Sequence, residues 1–142
     1  MNLEKFVAVA GLPGLHKTIA DRNNGLILED LDSGKRRFVP ARSSQFTPLG
    51  TIGMYTDDGE TTELANVFRS MLEKLSELPP PTGADANPET LHAYFAIVLP
   101  NYDRDRVHTG DIKKAIKWFL FLNEKQLLNS DESSEEASQE EE

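Results

Sequence analysis

The hydrophobic period of this chain changes once, and the change limits what the chain can fold into. From His16 to Thr56 apolar and polar residues alternate with the period of two that half-buried strands require. Beyond it Leu64, Val67, Phe68, Met71, Leu72, Leu75 and Leu78 recur at helical spacing, on one apolar stripe of about four turns. Strands first and helices after them define an α+β chain.

Four strands are predicted in the first part. His16–Arg22 and Leu26–Leu31 flank Asn23-Asn24-Gly25, a hairpin signal because an Asn-Gly turn takes positive φ at both positions. The turn Leu31-Asp32-Ser33-Gly34-Lys35 leads into Arg36–Pro40, which ends or lies at an edge because Pro40 has no N–H to donate. A polar loop, Arg42–Gly50, precedes the fourth strand, Thr51–Thr56. Strands this short and close together predict a small strongly bent sheet or SH3-like β-barrel over residues 1–58, and the barrel is the reading adopted.

Residues 59–128 read as a three-helix subdomain. Thr61 is the expected N-cap of the first helix, Glu63 suits its positive end, and Pro79-Pro80-Pro81 stops it. A linker follows over 79–87, where a subdomain boundary is expected. Asn87-Pro88 caps the second helix, whose stripe is Leu91, Tyr94, Phe95 and Val98, and Pro100 ends it. The third helix runs from Asp111 to about Leu128 and buries Ile112, Ala115, Ile116, Phe119 and Leu122–Asn123. Trp118, Leu120 and Phe121 add apolar surface elsewhere on it, which packs in the core by default or serves a homodimer through Trp118 and Phe121.

The formal charge of −9 belongs mostly to one end. Seven acids and no base fall in residues 129–142, a segment without aromatic or β-branched residues that is expected to be a disordered acidic tail. The rest, with 17 acids against 15 bases, is nearly neutral. There is no cysteine, which excludes disulfides, thiolate zinc sites and a thiol nucleophile and fits a reducing cytoplasm. No apolar run approaches the roughly 18–20 residues that span a bilayer. Lys5 with Phe6–Ala10 imitates a signal peptide, but the turn Gly11-Leu12-Pro13-Gly14 interrupts a run that would need about 7–15 apolar residues, so secretion is not expected.

The densest chemistry is Asn101-Tyr102-Asp103-Arg104-Asp105-Arg106-Val107-His108, at the mouth of the last helix. His108 beside Asp103, Asp105 or Asp111 holds the elements of acid–base catalysis. The simpler reading is a loop between antiparallel helices, with Asp and Arg paired locally and Tyr102 and Val107 plugging the gap. Asp103-x-Asp105 opens like a calcium loop, but Arg104 and Arg106 occupy places where oxygen ligands belong. His16, His92 and His108 are too scattered for a zinc motif and read as surface or capping residues. Gly11-x-x-Gly14 lacks the lysine and third glycine of a phosphate loop and reads as a turn. No catalytic set, metal or cofactor is therefore expected.

Two basic clusters raise nucleic-acid binding: Lys35, Arg36, Arg37 and Arg42, and Lys113, Lys114 and Lys117 with Arg104 and Arg106. Acids interrupt both, namely Glu29, Asp30 and Asp32 at the first and Asp103, Asp105 and Asp111 at the second.

The segments Ala10–Leu15, Asn24–Glu29, Ile52–Thr56 and Leu99–Val107, with Asp111–Lys114 and Trp118, resemble a bacterial family of domains of unknown function. The most specific part of the resemblance is the run Pro-x-Tyr-Asp-x-Asp-Arg-Val at 100–107. It implies a small N-terminal β domain coupled to a helical C-terminal one in a bacterial cytoplasm, and it implies no activity. The reading that follows is a non-enzymatic binding or adaptor protein with a protein partner. Its contact surface is Tyr102, Asp103, Arg104, Asp105, Arg106, His108, Lys113, Lys114 and Lys117, and the alternative is a nucleic-acid binder using Lys35, Arg36, Arg37 and Arg42.

Overall fold

The computed structural model describes residues 3–12 and 14–128; the acidic tail expected at 129–142 lies outside them. The chain is α+β and divides into two compact units between residues 52 and 53.

The first unit is one antiparallel sheet. Its strands are β1 (Phe6–Val9), β2 (His16–Arg22), β3 (Gly25–Asp30), β4 (Arg36–Pro40) and β5 (Phe46–Pro48), in the order β4-β3-β2-β1-β5. The sheet is open, with β4 and β5 at its edges, and the expected SH3-like barrel is not formed. Two segments account for the difference. Phe6–Val9, part of the apolar run that imitates a signal peptide and not among the expected strands, enters the sheet between β2 and β5, and most of it is buried, so it shows no alternation. Residues 53–55, read as the fourth strand, pair elsewhere. Part of the polar loop becomes β5 instead, with Val9 opposite Phe46. Val7, Val9, Leu28 and Val39 form the core of the sheet, with Leu12, Leu26 and Phe46 packed against them.

The β2–β3 hairpin turns at Asn23-Asn24, where the sequence places it, with Arg22 opposite Gly25. Its cause is different from the one expected, since neither asparagine nor Gly25 has positive φ. Gly25 is required by close approach: a Cβ there would meet the carbonyl of Val39 and come within 2.7 Å of Phe38 Cζ.

The second unit begins with the hairpin β6 (Gly53–Tyr55) and β7 (Thr61–Glu63) and continues with α1 (Leu64–Glu73), α2 (Pro88–Val98) and α3 (Thr109–Glu124). Thr61 lies in β7, and Glu63, not Thr61, stands at the N-cap of α1. The α-helical geometry ends a turn before the proline run, and 74–77 continue as turns. Asn87 caps α2 as its sequence requires, its side chain accepting from the Thr90 amide at 2.9 Å. Ile112, Ala115, Ile116, Phe119 and Leu122 are buried on the inner face of α3 as expected, while Asn123 is half-buried. Phe68 of α1 meets Phe119 of α3 edge to face at 5.7 Å, and Ser70 Oγ donates to the Val98 carbonyl at 2.8 Å, joining α1 to the end of α2. Full burial of rings such as Phe68, Phe95 and Phe119 is worth about 1.5–3 kcal/mol each.

Candidate functional site

The loop after α2 is built around two residues that face inward. Tyr102 is buried, makes a β-bridge with Thr56, and sets its ring edge-on to Phe95 at 5.0 Å. The Asp103 amide donates to the Tyr55 carbonyl at 2.9 Å, and the Asp57 amide donates to the Asn101 carbonyl at 2.8 Å. The loop is thus tied to the end of β6 by an isolated bridge and these two hydrogen bonds. Asp103 then turns the chain: its carboxylate accepts the amides of Asp105 at 2.9 Å and Arg106 at 3.3 Å, as an Asx turn does. Val107 is buried behind it, and the Asp111 carboxylate accepts the His108 amide at 2.9 Å to start α3.

Inside this frame lies a polar chain anchored on His92, which the sequence suggests as a surface or capping residue and which is buried. Nδ1 of His92 is 2.7 Å from Tyr102 Oη, and Nε2 is 3.3 Å from Thr109 Oγ1. Arg104 donates to Tyr102 Oη at 3.5 Å. One proton arrangement serves all three contacts: the guanidinium donates to the phenol, the phenol to Nδ1, and Nε2–H to the threonine. That arrangement needs a neutral imidazole. Burial first, and the nearby Arg104 charge second, hold His92 below the ordinary histidine value. Of the three histidines, His92 and His16 are buried and only His108 caps a helix, so the surface reading held for one of them.

The candidate residues therefore separate. Tyr102 and Asp103 are consumed by the loop's own architecture, while Arg104, Asp105, Arg106 and His108 are exposed. The Arg106 guanidinium lies 5.0 Å from the centre of the exposed Tyr55 ring and 3.8 Å from the Asp103 carboxylate. Asp58 fixes the neighbouring turn, accepting from Thr56 Oγ1 at 2.6 Å and from the Glu60 amide, and these hydrogen bonds, the threonine's first, hold its carboxyl below the usual range. Lys113, Lys114 and Lys117 are all exposed on α3. In the sheet unit Lys35, Arg36, Arg37 and Arg42 are exposed on and beside the edge strand β4, with Arg36 3.7 Å from Glu29. Trp118 and Phe121 are half-buried, and the Lys125 ammonium covers the Phe121 ring at 4.9 Å.

Two open grooves flank the segment that follows the proline run. One, of about 590 Å³, lies along α2 and is lined by residues including Pro79, Pro80, Asp85, Tyr94 and Ile97. The other, of about 270 Å³, lies against α3. Neither is lined by a histidine. Tyr94 is buried with no partner for its hydroxyl, and burial pushes the phenol up to about 12. Among the described residues no cluster of three or more His, Asp or Glu is arranged to hold a metal ion, and no helix is long and apolar enough to cross a membrane.

A small antiparallel sheet followed by a helical unit, with a tyrosine-anchored loop between its last two helices, is the architecture described. Residues 52–122 match the family model of a domain of unknown function (DUF6852), and residues 3–49 match that of another (DUF5606). The first of these models covers half of the chain, which belongs to the DUF6852 family. A solution NMR structure from Bacteroides vulgatus, a structural-genomics target, is 41% identical over 85% of each chain, with a TM-score of 0.64. No curated protein matches the sequence. The resemblance seen in the 100–107 run is therefore real, and neither family description carries an activity.

Proposed function

We propose that this chain is a non-enzymatic binding protein whose helical unit presents Arg104, Arg106 and His108 to an acidic segment of a protein partner. One observation carries the reading: two exposed guanidiniums sit on tyrosines, Arg104 at the Tyr102 hydroxyl and Arg106 over the Tyr55 ring, in a loop already stiffened by the Asp103 turn. Arg and Tyr are the residue types that dominate protein interfaces, and a loop ordered before binding loses little entropy when the partner arrives. Lys113, Lys114 and Lys117 add charge of the same sign on α3. The nucleic-acid reading has less support, because Glu29 faces Arg36 in the other basic cluster and Asp105 interrupts this one. Catalysis finds little support too, since His92 is enclosed by its own partners and His108 stands open to solvent.

Pull-down from a bacterial lysate with wild type and Arg104→Ala/Arg106→Ala, both checked for helicity by circular dichroism, tests this. Loss of a captured protein in the double variant is the expected result, and equal recovery of every partner overturns it. Titration of a labelled single-stranded oligonucleotide at two salt concentrations separates the rival reading: salt-dependent binding of the oligonucleotide by wild type would favour nucleic acid.

A further inference from the structure

The groove of about 270 Å³ runs between α3 and the strap at residues 81–86. Its floor is apolar, with Leu91 and Ile116 buried and Leu120 and Ala86 half-buried. Its lining also includes Lys113 and Lys117, both exposed, and neither is in an ion pair among the described residues. Lysines four apart on a helix stand one above the other, so two positive charges repel each other across one turn at the mouth of an oily slot.

We propose that this groove binds a small amphiphilic carboxylate, its apolar body on Leu91, Ile116 and Leu120 and its two oxygens bridging Nζ of Lys113 and Nζ of Lys117. Each part of the site selects one property of the ligand. The paired ammoniums select an anion, and binding it removes the repulsion between them. The floor selects an aliphatic or aromatic body. The volume lies just below the roughly 300–1,000 Å³ of pockets for drug-sized ligands, which selects a short molecule. The strap does not favour a phosphate, since the amides of Asp85 and Ala86 already donate to the carbonyls of Thr82 and Gly83, both at 3.1 Å, and no guanidinium lines the groove. The larger groove along α2 differs in kind: Asp85 is its one charged lining residue, so it has no cation to attract an acid.

The probe is octanoate, titrated into the full chain and followed by amide chemical shifts. Octanol supplies the same body without the charge, and acetate supplies the charge without the body. Saturable shifts at Gly83, Ile116 and Lys117 are expected with octanoate, with affinities about tenfold or more weaker for octanol, for acetate and for the exposed double variant Lys113→Gln/Lys117→Gln. Ala86→Leu fills the slot from the strap side and is expected to weaken octanoate by a similar factor. Octanol binding as well as octanoate, binding unchanged in the lysine variant, or shifts that never saturate would each overturn the assignment. None of these readouts involves Arg104 or Arg106, so the result stands apart from that of the pull-down.

Discussion

Tyr102 Oη lies 2.7 Å from Nδ1 of His92 and 3.4 Å from the His92 carbonyl, so the loop that carries the exposed arginines is held to α2 through this buried hydroxyl. Tyr102→Phe leaves Nδ1 buried without its partner and is expected to cost about 1–3 kcal/mol. Tyr94→Phe is the control of opposite sense. It deletes a buried hydroxyl that has no partner, and the expected outcome is stability equal to wild type or up to about 1 kcal/mol above it. Urea midpoints of the two variants check both.

His92 makes stability depend on pH in a stated direction. Its imidazole is held below its value in the unfolded chain, so below the ordinary histidine value the unfolded state takes up a proton that the folded state refuses. Stability from this group is complete above about pH 6.5 and is lost as pH falls toward the depressed folded value. Denaturation midpoints should therefore drop between pH 7.5 and pH 5, and His92→Gln, whatever its own cost, should flatten that slope.

Tyr94 gives the complementary alkaline signature. Its phenol is raised to about 12, so stability from it is present below the ordinary value near 10 and is lost as pH rises through that window toward 12. Ultraviolet titration of the native protein should show a late phenol that is absent in Tyr94→Phe.

Asp103→Ala removes the acceptor of the Asp105 and Arg106 amides and is expected to cost about 1 kcal/mol, comparable to loss of a helix cap. Asp103→Asn keeps an oxygen at the same place and should lose less. Hydrogen exchange at the Arg106 amide distinguishes them, faster in alanine than in asparagine.

Gly25→Ala drives a methyl toward Phe38 Cζ and the Val39 carbonyl and is expected to cost about 1–3 kcal/mol as overpacking. Adding Phe38→Ala should recover only part of the loss, because the backbone carbonyl stays where it is.

The helices were legible because their signals are local. Asn87-Pro88 marks the start of α2, and the inward residues of α3 follow from spacing alone. The hairpin at 23–24 was legible too, though its glycine answers to a neighbouring strand and not to its own φ. The site was legible only as a dense run of residues. Tyr102 and Val107 were expected to plug the gap between the helices and both are buried, but nothing in 100–108 indicates that Tyr102 meets a histidine ten residues earlier.

By itself, the order of residues determined the three helices, the apolar stripe of each and the hairpin at 23–24, because periodicity, capping and turn chemistry act over a few residues. Tertiary structure alone decided that Phe6–Val9 enters the sheet, that the sheet stays open, that residues 53–55 pair with 61–63, and which loop side chains are buried and which are exposed. A strand's period says which face is apolar but not which strand will lie beside it. That choice is made between residues far apart in the chain, by packing that no local pattern records.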